Sequence, residues 1–297
     1  MSGPVLHTVD DALLRGWPLP EAEEDGDKER RGCVLVVAGS REMPGAAVLS
    51  GTAALRAGAG KLVIATPQSA ALTVAGAVPE ARVIALPEAS DGGPTFVGLG
   101  ALQAIAGDTA ALLVGPGMVG PDSTVAFVQL LLPLFREATV LLDALAMDAV
   151  KSVRRFDQQL LLTPHAGEMA HLTGRDKEDL QEEPCAIALR QAAAWNATVV
   201  MKGPTTCIAA PDQRLWSHTA QAPGLGTSGS GDVLSGLIAG LVARGASSEQ
   251  ASAWGVTLHA RAGQALAARM GVIGYLAREL SAQVPALMAA LSPQAPA

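Results

Sequence analysis

The chain has 297 residues and a formal net charge of −7, with 49% of its residues apolar but only 3% aromatic. That length suits one large α/β domain packed from Ala, Val, Leu and Ile, and the acidic balance excludes an ordinary nucleic-acid binder, whose affinity rests on Lys and Arg against phosphate. The best apolar helix candidate, Val233 to Ala243, is well short of the roughly 20 residues of a membrane span, so no membrane partner is expected.

Met1 to Asp11 lacks the apolar core of a secretory signal. The three cysteines, Cys33, Cys185 and Cys207, are an odd number in apolar surroundings, which predicts reduced, buried thiols and a cytoplasmic location. Residues 1–31 read as an N-terminal arm with a short helix and a solvated charge run from Glu21 to Arg31. Residues 32–297 read as a single catalytic domain with no internal repeat.

From Cys33 the pattern changes. Cys33 to Ala38 is an unbroken apolar run ending in Gly39-Ser40, as a strand buried on both faces reads. Pro44-Gly45-Ala46-Ala47 opens a small-residue helix to Ala59, and Lys61 to Thr66 is the next strand, completing a βαβ unit. Strands follow at Arg82–Leu86, Ala110–Val114 (running into Gly115-Pro116-Gly117), Thr139–Leu142 (into Asp143) and Gln159–Leu162 (into Thr163-Pro164-His165), with helices at Gly98–Ala106 and Ser123–Arg136 between them. After a helix from Glu182 to Asn196 come Thr198–Met201, then Lys202-Gly203-Pro204-Thr205-Thr206, then Cys207–Ala210 and a return strand at Arg214–Ser217. This part reads as an antiparallel addition. Helices from Val233, Glu249 and Tyr275 close the chain, with Pro293 to Ala297 a frayed end.

In a parallel sheet, ligands bind where the strands' carboxyl ends line one edge. Ser40, Gly117, Asp143, His165 and Lys202 all fall there. The most telling stretch is Pro223 to Asp232, glycine-dense and followed at once by an apolar helix. Bare backbone can fold into a nest of N–H donors, and the first turn of the helix adds more, which makes an anion hole. Asp232 at its rim would repel phosphate unless it were there to take a proton. The pattern therefore points to phosphoryl transfer, with Asp232 as base and the amides of Gly229, Ser230 and Gly231 around the phosphate. The bland reading is a glycine turn with an aspartate N-cap. Gly224, Gly226 and Gly229 also spell a dinucleotide fingerprint, but no buried strand precedes them and only helices follow, so that reading fails.

Lys202 with Gly203, Thr205 and Thr206 can neutralise and hydrogen-bond a nucleotide's phosphates. His165 heads a helix carrying Glu168 in its first turn, for which the alternatives are a helix cap or substrate contact by His165 and a hydrated Mg²⁺ on Glu168. Asp143 could orient a neighbour, hold metal or cap the next segment. His171 shares a face with Glu168 but supplies too few ligands for zinc, and His259 reads as a core or supporting residue.

These segments together resemble the ADP-dependent NAD(P)H-hydrate dehydratases of the ribokinase-like superfamily, the family of the C-terminal half of bifunctional NAD(P)HX repair enzymes. The resemblance rests on Ala38-Gly39-Ser40 with Pro44–Ala47, Ala54–Val63, Gly115–Gly117, Leu162–Glu168, Met201–Gly203, Gly229–Gly236 and Leu13–Pro20, and so runs along essentially the whole chain. It implies a three-layer α/β fold whose central, mostly parallel sheet has helices on both faces and antiparallel strands near its C-terminal part. It further implies that Ala46, Gly117, His165 and Asp232 contact the hydrated nicotinamide nucleotide, that Lys202, Gly203, Pro204, Thr205, Thr206 and Gly231 hold the adenine nucleotide, and that the enzyme is a homotetramer. ADP would phosphorylate the ring hydroxyl and phosphate would then be eliminated, giving NAD(P)H, AMP and phosphate. Two departures are Gly226, where the family usually has Ala, and Leu145, in a segment where the family usually has Asp or Gly. No epimerase domain is read in the chain, so it would act on the S-epimer or after a separate epimerase. The rival readings are a kinase of the same superfamily for a vitamin-precursor alcohol and a non-catalytic nucleotide-binding protein.

Overall fold

The computed structural model describes residues 5–21, 27–152, 156 and 158–292. The centre of the charge run, 22–26, and the tail expected to fray, 293–297, lie outside the described residues. In chain order the elements begin with β1 (Leu6–Thr8), α1 (Asp11–Gly16), β2 (Cys33–Val37), α2 (Pro44–Arg56), β3 (Lys61–Pro67), α3 (Gln68–Ala77), β4 (Arg82–Leu86) and α4 (Leu99–Gln103). There follow β5 (Ala111–Val114), α5 (Pro121–Leu131), β6 (Thr139–Leu142), a 3-10 segment (Ala144–Lys151), β7 (Leu160–Leu162), α6 (Ala166–Thr173), α7 (Lys177–Glu182) and α8 (Pro184–Trp195). The chain ends with β8 (Thr198–Met201), β9 (Thr205–Ala209), β10 (Leu215–Thr219), α9 (Ser230–Ala243), α10 (Ser248–Met270) and α11 (Ala277–Leu291).

All the strands join one sheet in the order β1-β10-β9-β8-β7-β6-β5-β2-β3-β4. Among the described residues only β9 runs against the other strands; β10 turns back into the common direction and β1 pairs with it in parallel. The apolar runs are buried on both faces, as their lack of alternation implies: every residue of β2, β5 and β8 is buried. Alternate residues feed two cores. Val34 and Val36 face a layer containing α2, α9, α10 and α11, while Leu35 and Val37 face one containing α5 and α8. The arm is part of this arrangement, since Leu6 to Thr8 pair with Leu215 to Ser217 and the Trp17 carbonyl accepts from Trp254 and Gln250 of α10. The strand at Leu6–Thr8 carries no pattern of its own in the sequence, because all three of its residues are exposed. Among the described residues no helix is long and apolar enough to cross a membrane.

The cysteine expectation is corrected. Cys185 and Cys207 form a disulfide between the first turn of α8 and β9, with their Cα atoms 5.1 Å apart, and only Cys33 is a free thiol. Counting cysteines did not show that α8 packs across β9, which brings two residues 22 positions apart within bonding range. Burial pushes the Cys33 thiol above its ordinary pKa.

Helix α9 packs tightly against α2. A β-carbon on Gly236 would overlap the Ser50 carbonyl, and one on Gly240 the Ala54 carbonyl, so α9 lies directly on the backbone of α2. Gly236→Val should destabilise the fold by about 2–3 kcal/mol through overpacking, lowering the thermal midpoint by roughly 3–5 °C; an unchanged midpoint would contradict so tight a seam. Denatured, unreduced protein should titrate one thiol per chain and reduced protein three; three thiols without reductant would remove the disulfide.

Candidate active site

The parallel register sets the carboxyl ends of β5, β6, β7 and β8 along one edge, and the four turns that leave them supply Gly117, Asp143, His165 and Lys202. Backbone pairing continues past β7 and β8, where Lys202 N–H donates to Pro164 O at 2.8 Å. The side chains of this edge converge on one cation. Lys202 Nζ lies 3.4 Å from Asp143 Oδ1 and 3.5 Å from Glu168 Oε2, and Asp143 Oδ1 accepts a 2.6 Å hydrogen bond from Thr163 Oγ1. Burial alone would push the Lys202 ammonium toward its neutral form, but the two carboxylates outweigh burial and hold its pKa above the ordinary lysine value.

Gly229, in the left-handed conformation at φ +85°, turns the chain into α9, whose first turn carries Ser230, Gly231 and Asp232. Asp232 does not cap that helix; Gly229 holds the cap position and no side chain caps there. The carboxyl is therefore free of the structural duty that the bland reading gave it. Burial first, and then the charge of Asp143, push its pKa up to about 6; Lys202 lowers it by more than the charge of Glu168 raises it. A carboxylate tuned so close to neutrality is a group suited to take a proton. The sequence presented Asp232 as a lone acid, but the fold gathers Asp143 and Glu168 around the same lysine.

The glycine cradle meets this cluster at Gly231, where a β-carbon would stand 3.6 Å from Lys202 Nζ. Beneath it, buried His259 lies 3.0 Å from both the Ser230 carbonyl and hydroxyl. A carbonyl can only accept, so Nε2 carries the proton of a neutral ring, and burial holds its pKa down at about 4. His259 thus pins the backbone of the cradle. The opposite wall is the start of α2. Gly117, at φ +64°, passes so close to Ala46 that a β-carbon would lie 2.5 Å from the Ala46 methyl. A β-carbon on Gly229 would likewise lie 2.5 Å from Leu49 Cδ1, less than one turn beyond Ala46. Gly117 thus meets α2 at Ala46, and Gly229, with Asp232 in the turn that follows it, meets the same helix at Leu49.

Other expectations are met differently. His165 is the N-cap of α6: its Nδ1 accepts from Glu168 N at 3.0 Å, while Glu168 Oε2 accepts from His165 N at 2.7 Å. The capping alternative is realised, yet the ring remains more than half exposed and Glu168 still reaches Lys202. The threonine hydroxyls of the Lys202–Thr206 loop are engaged locally, Thr205 with Thr219 and Thr206 with the Gly203 carbonyl, so the loop offers a ligand mainly its backbone. Asp143 neither caps nor stands alone; it holds Lys202. Thr163 escaped attention because a hydroxyl inside a Thr-Pro-His run gives no signal of which carboxylate it will meet.

Three comparisons bear on this site. The family described as NAD(P)H-hydrate dehydratase matches residues 34–286. An ADP-dependent (S)-NAD(P)H-hydrate dehydratase of Xanthomonas campestris pv. campestris is 46% identical over 97% of this chain and 98% of its own. A crystal structure of the ADP/ATP-dependent NAD(P)H-hydrate dehydratase from Bacillus subtilis, co-crystallized with ATP/Mg²⁺, superposes with a TM-score of 0.81 at 29% identity, covering 96% of this chain and 98% of that one. A ribokinase-like superfamily protein from Enterococcus faecalis, 23% identical, shares the fold with a TM-score of 0.83 over 97% of this chain and 96% of its own. With the acid, lysine and glycine cradle assembled at the sheet edge of a ribokinase-like fold, the chain belongs to the NAD(P)H-hydrate dehydratase family.

Proposed function

We propose that the protein dehydrates (S)-NAD(P)H hydrate using ADP, giving NAD(P)H, AMP and phosphate, and so acts as a hydro-lyase in the repair of nicotinamide nucleotides. The observation that carries this reading is Asp232, half-buried and without a capping role, its pKa raised to about 6, and set beside a glycine turn and a charged lysine. Hydroxide is a poor leaving group and phosphate a good one, so a kinase-type site can drive a dehydration. Asp232 takes the proton of the ring hydroxyl as its oxygen attacks the β-phosphorus of ADP, and AMP departs with the bridging oxygen. The phosphate ester then breaks at its C–O bond as the neighbouring carbon loses a proton, restoring the ring double bond and releasing phosphate.

In this reading Lys202 and the amides of Gly229, Ser230 and Gly231 face the transferring phosphoryl group, and Gly203, Pro204, Thr205 and Thr206 flank the nucleotide. Ala46, Gly117 and His165 line the side taken by the hydrated ring. Glu168 suits a hydrated Mg²⁺, an ion held by one or two carboxylates together with waters and phosphate oxygens. Its Oε2 is engaged by His165 N–H and Lys202, and Oε1 has no partner among the described residues. Bound there, the ion would supply charge neutralisation on the nucleotide's phosphates. The same reading takes residues 32–297 as the catalytic domain with the arm docked on it and the enzyme as a homotetramer, while the Cys185–Cys207 disulfide withdraws the thiol argument for a cytoplasmic location.

Protein incubated with ADP, Mg²⁺ and NADH hydrate should regenerate the NADH absorbance with one AMP formed per turnover; no recovery with ADP or ATP would remove the proposal. Asp232→Asn should lower kcat/KM by about 10²–10⁴-fold. In the wild type, kcat/KM should fall as pH drops through about 6, where Asp232 takes up its proton. Asp143→Asn removes a charge that raises Asp232, so this acid limb should move to lower pH, and a limb left in place would argue against Asp232 as the base.

Stability should respond in the opposite sense to activity. The folded pKa of about 6 exceeds the ordinary 3.8, so ionising Asp232 costs stability that is absent below about pH 4, grows from there to pH 6 and is complete above it. Asp232→Asn should therefore stabilise the fold by on the order of 2–3 kcal/mol at pH 8 and by little at pH 4, measured by denaturant unfolding without nucleotide.

A further inference from the structure

A groove of about 310 Å³ runs between the 3-10 segment Ala144–Lys151 and α6. Its lining includes His165 and Glu168, and Glu168 Oε2 lies 3.5 Å from Lys202 Nζ, so this end of the groove stands beside the charged cluster at the sheet edge. Leu145, Met147 and Leu172 give it apolar walls, and Asp148 and His171 close its far end. From His165 to His171 is six positions along a helix, a span of about 9 Å. At that end His171 Nε2 lies 2.9 Å from Asp148 Oδ2, and Lys151 Nζ lies 2.7 Å from His171 Nε2 and 3.4 Å from Asp148 Oδ2. Asp148 lines both this groove and a second, of about 370 Å³, which Lys151 also lines, so the trio spans the two, with His171 on the first. His171 and Lys151 are substantially exposed, so a ligand can reach both side chains.

We infer that this groove holds the distal, phosphate-bearing half of the dinucleotide substrate, with Asp148 accepting from its ribose hydroxyls and Lys151 and His171 facing its phosphates. The inference rests on the proposed dehydration of a dinucleotide: once the nicotinamide end reacts at Asp232, the remainder must leave the cleft. The nucleotide loop after β8 is assigned to ADP, and the groove after β6 and β7 leads away from it. A carboxylate beside cationic donors is the pairing that distinguishes a free ribose 2′-hydroxyl from a 2′-phosphate, since the acid favours the first and repels the second. The trio would let one site accept both NADH hydrate and NADPH hydrate, and would set the ratio between them.

The test is binding of NADPH and NADH by calorimetry, alongside steady-state kinetics on both hydrates, for wild type, Lys151→Ala and Asp148→Ala. Lys151→Ala should weaken NADPH by about tenfold while leaving kcat and KM for ADP in place. A loss confined to NADPH identifies the 2′-phosphate as the group met, and an equal loss for NADH the pyrophosphate. Asp148→Ala should raise the NADPH-to-NADH preference above that of the wild type in either case. A variant that merely loosened the fold would move both ligands alike and lower the melting midpoint. Unchanged affinity for both dinucleotides in both variants overturns the inference. Product binding that depends on Lys151 in a wild type unable to dehydrate either hydrate would sink the proposed reaction and leave the groove assignment standing.

Discussion

The ammonium of Lys202, half-buried at the sheet edge between Asp143 and Glu168, is the contact on which the rest of the site depends. Those three residues come from the ends of β8 and β6 and from α6, so a single charge ties together turns that are far apart in sequence. A buried cation with two acids is a costly arrangement unless the geometry is good, and losing one partner leaves the others uncompensated. The Thr163 hydroxyl on Asp143 and the His165 amide on Glu168 fix each carboxylate independently of the lysine. The cluster thereby sets up a prearranged electrostatic field. Two negative groups and one positive group act on Asp232 at once, and with burial they leave its carboxyl near neutrality rather than in the ordinary acidic range.

The second constraint is steric. Asp232 is aimed by α9, and α9 is placed by glycines that let it lie against the backbone of α2. On the other side His259 of α10, neutral because it is buried, grips Ser230 through the carbonyl and hydroxyl. The acid therefore sits on a helix start held from two directions. Support from rigid elements is what keeps a catalytic group within a fraction of an ångström of its working position.

Much of this was legible in the residues. Apolar runs without alternation announced a sheet covered on both faces, and the polar residues that end them marked its functional edge, because in parallel strands that edge is shared. The glycine run before Asp232 could be read from backbone chemistry as a turn that opens a helix, and Gly229 makes that turn in the left-handed conformation. Which side chains meet across the edge could not be read. Asp143, Thr163 and Lys202 are separated by 20 and 39 positions, and no local rule pairs them. The Cys185–Cys207 bond was misread for the same reason: parity and apolar context describe each cysteine but not the packing of α8 on β9. The exposed strand Leu6–Thr8 was invisible because it is specified by its partner β10, not by its own pattern.

The Gly236 and Gly240 seam has one more consequence. Because α2 and α9 touch backbone to backbone, the wall bearing Ala46 and the wall bearing Asp232 behave as one body, like two jaws cast in a single piece. Such jaws do not breathe apart to admit a bulky ligand. Entry and departure must then fall to the surrounding turns, and the width of the bite is decided when the chain folds, before any substrate arrives.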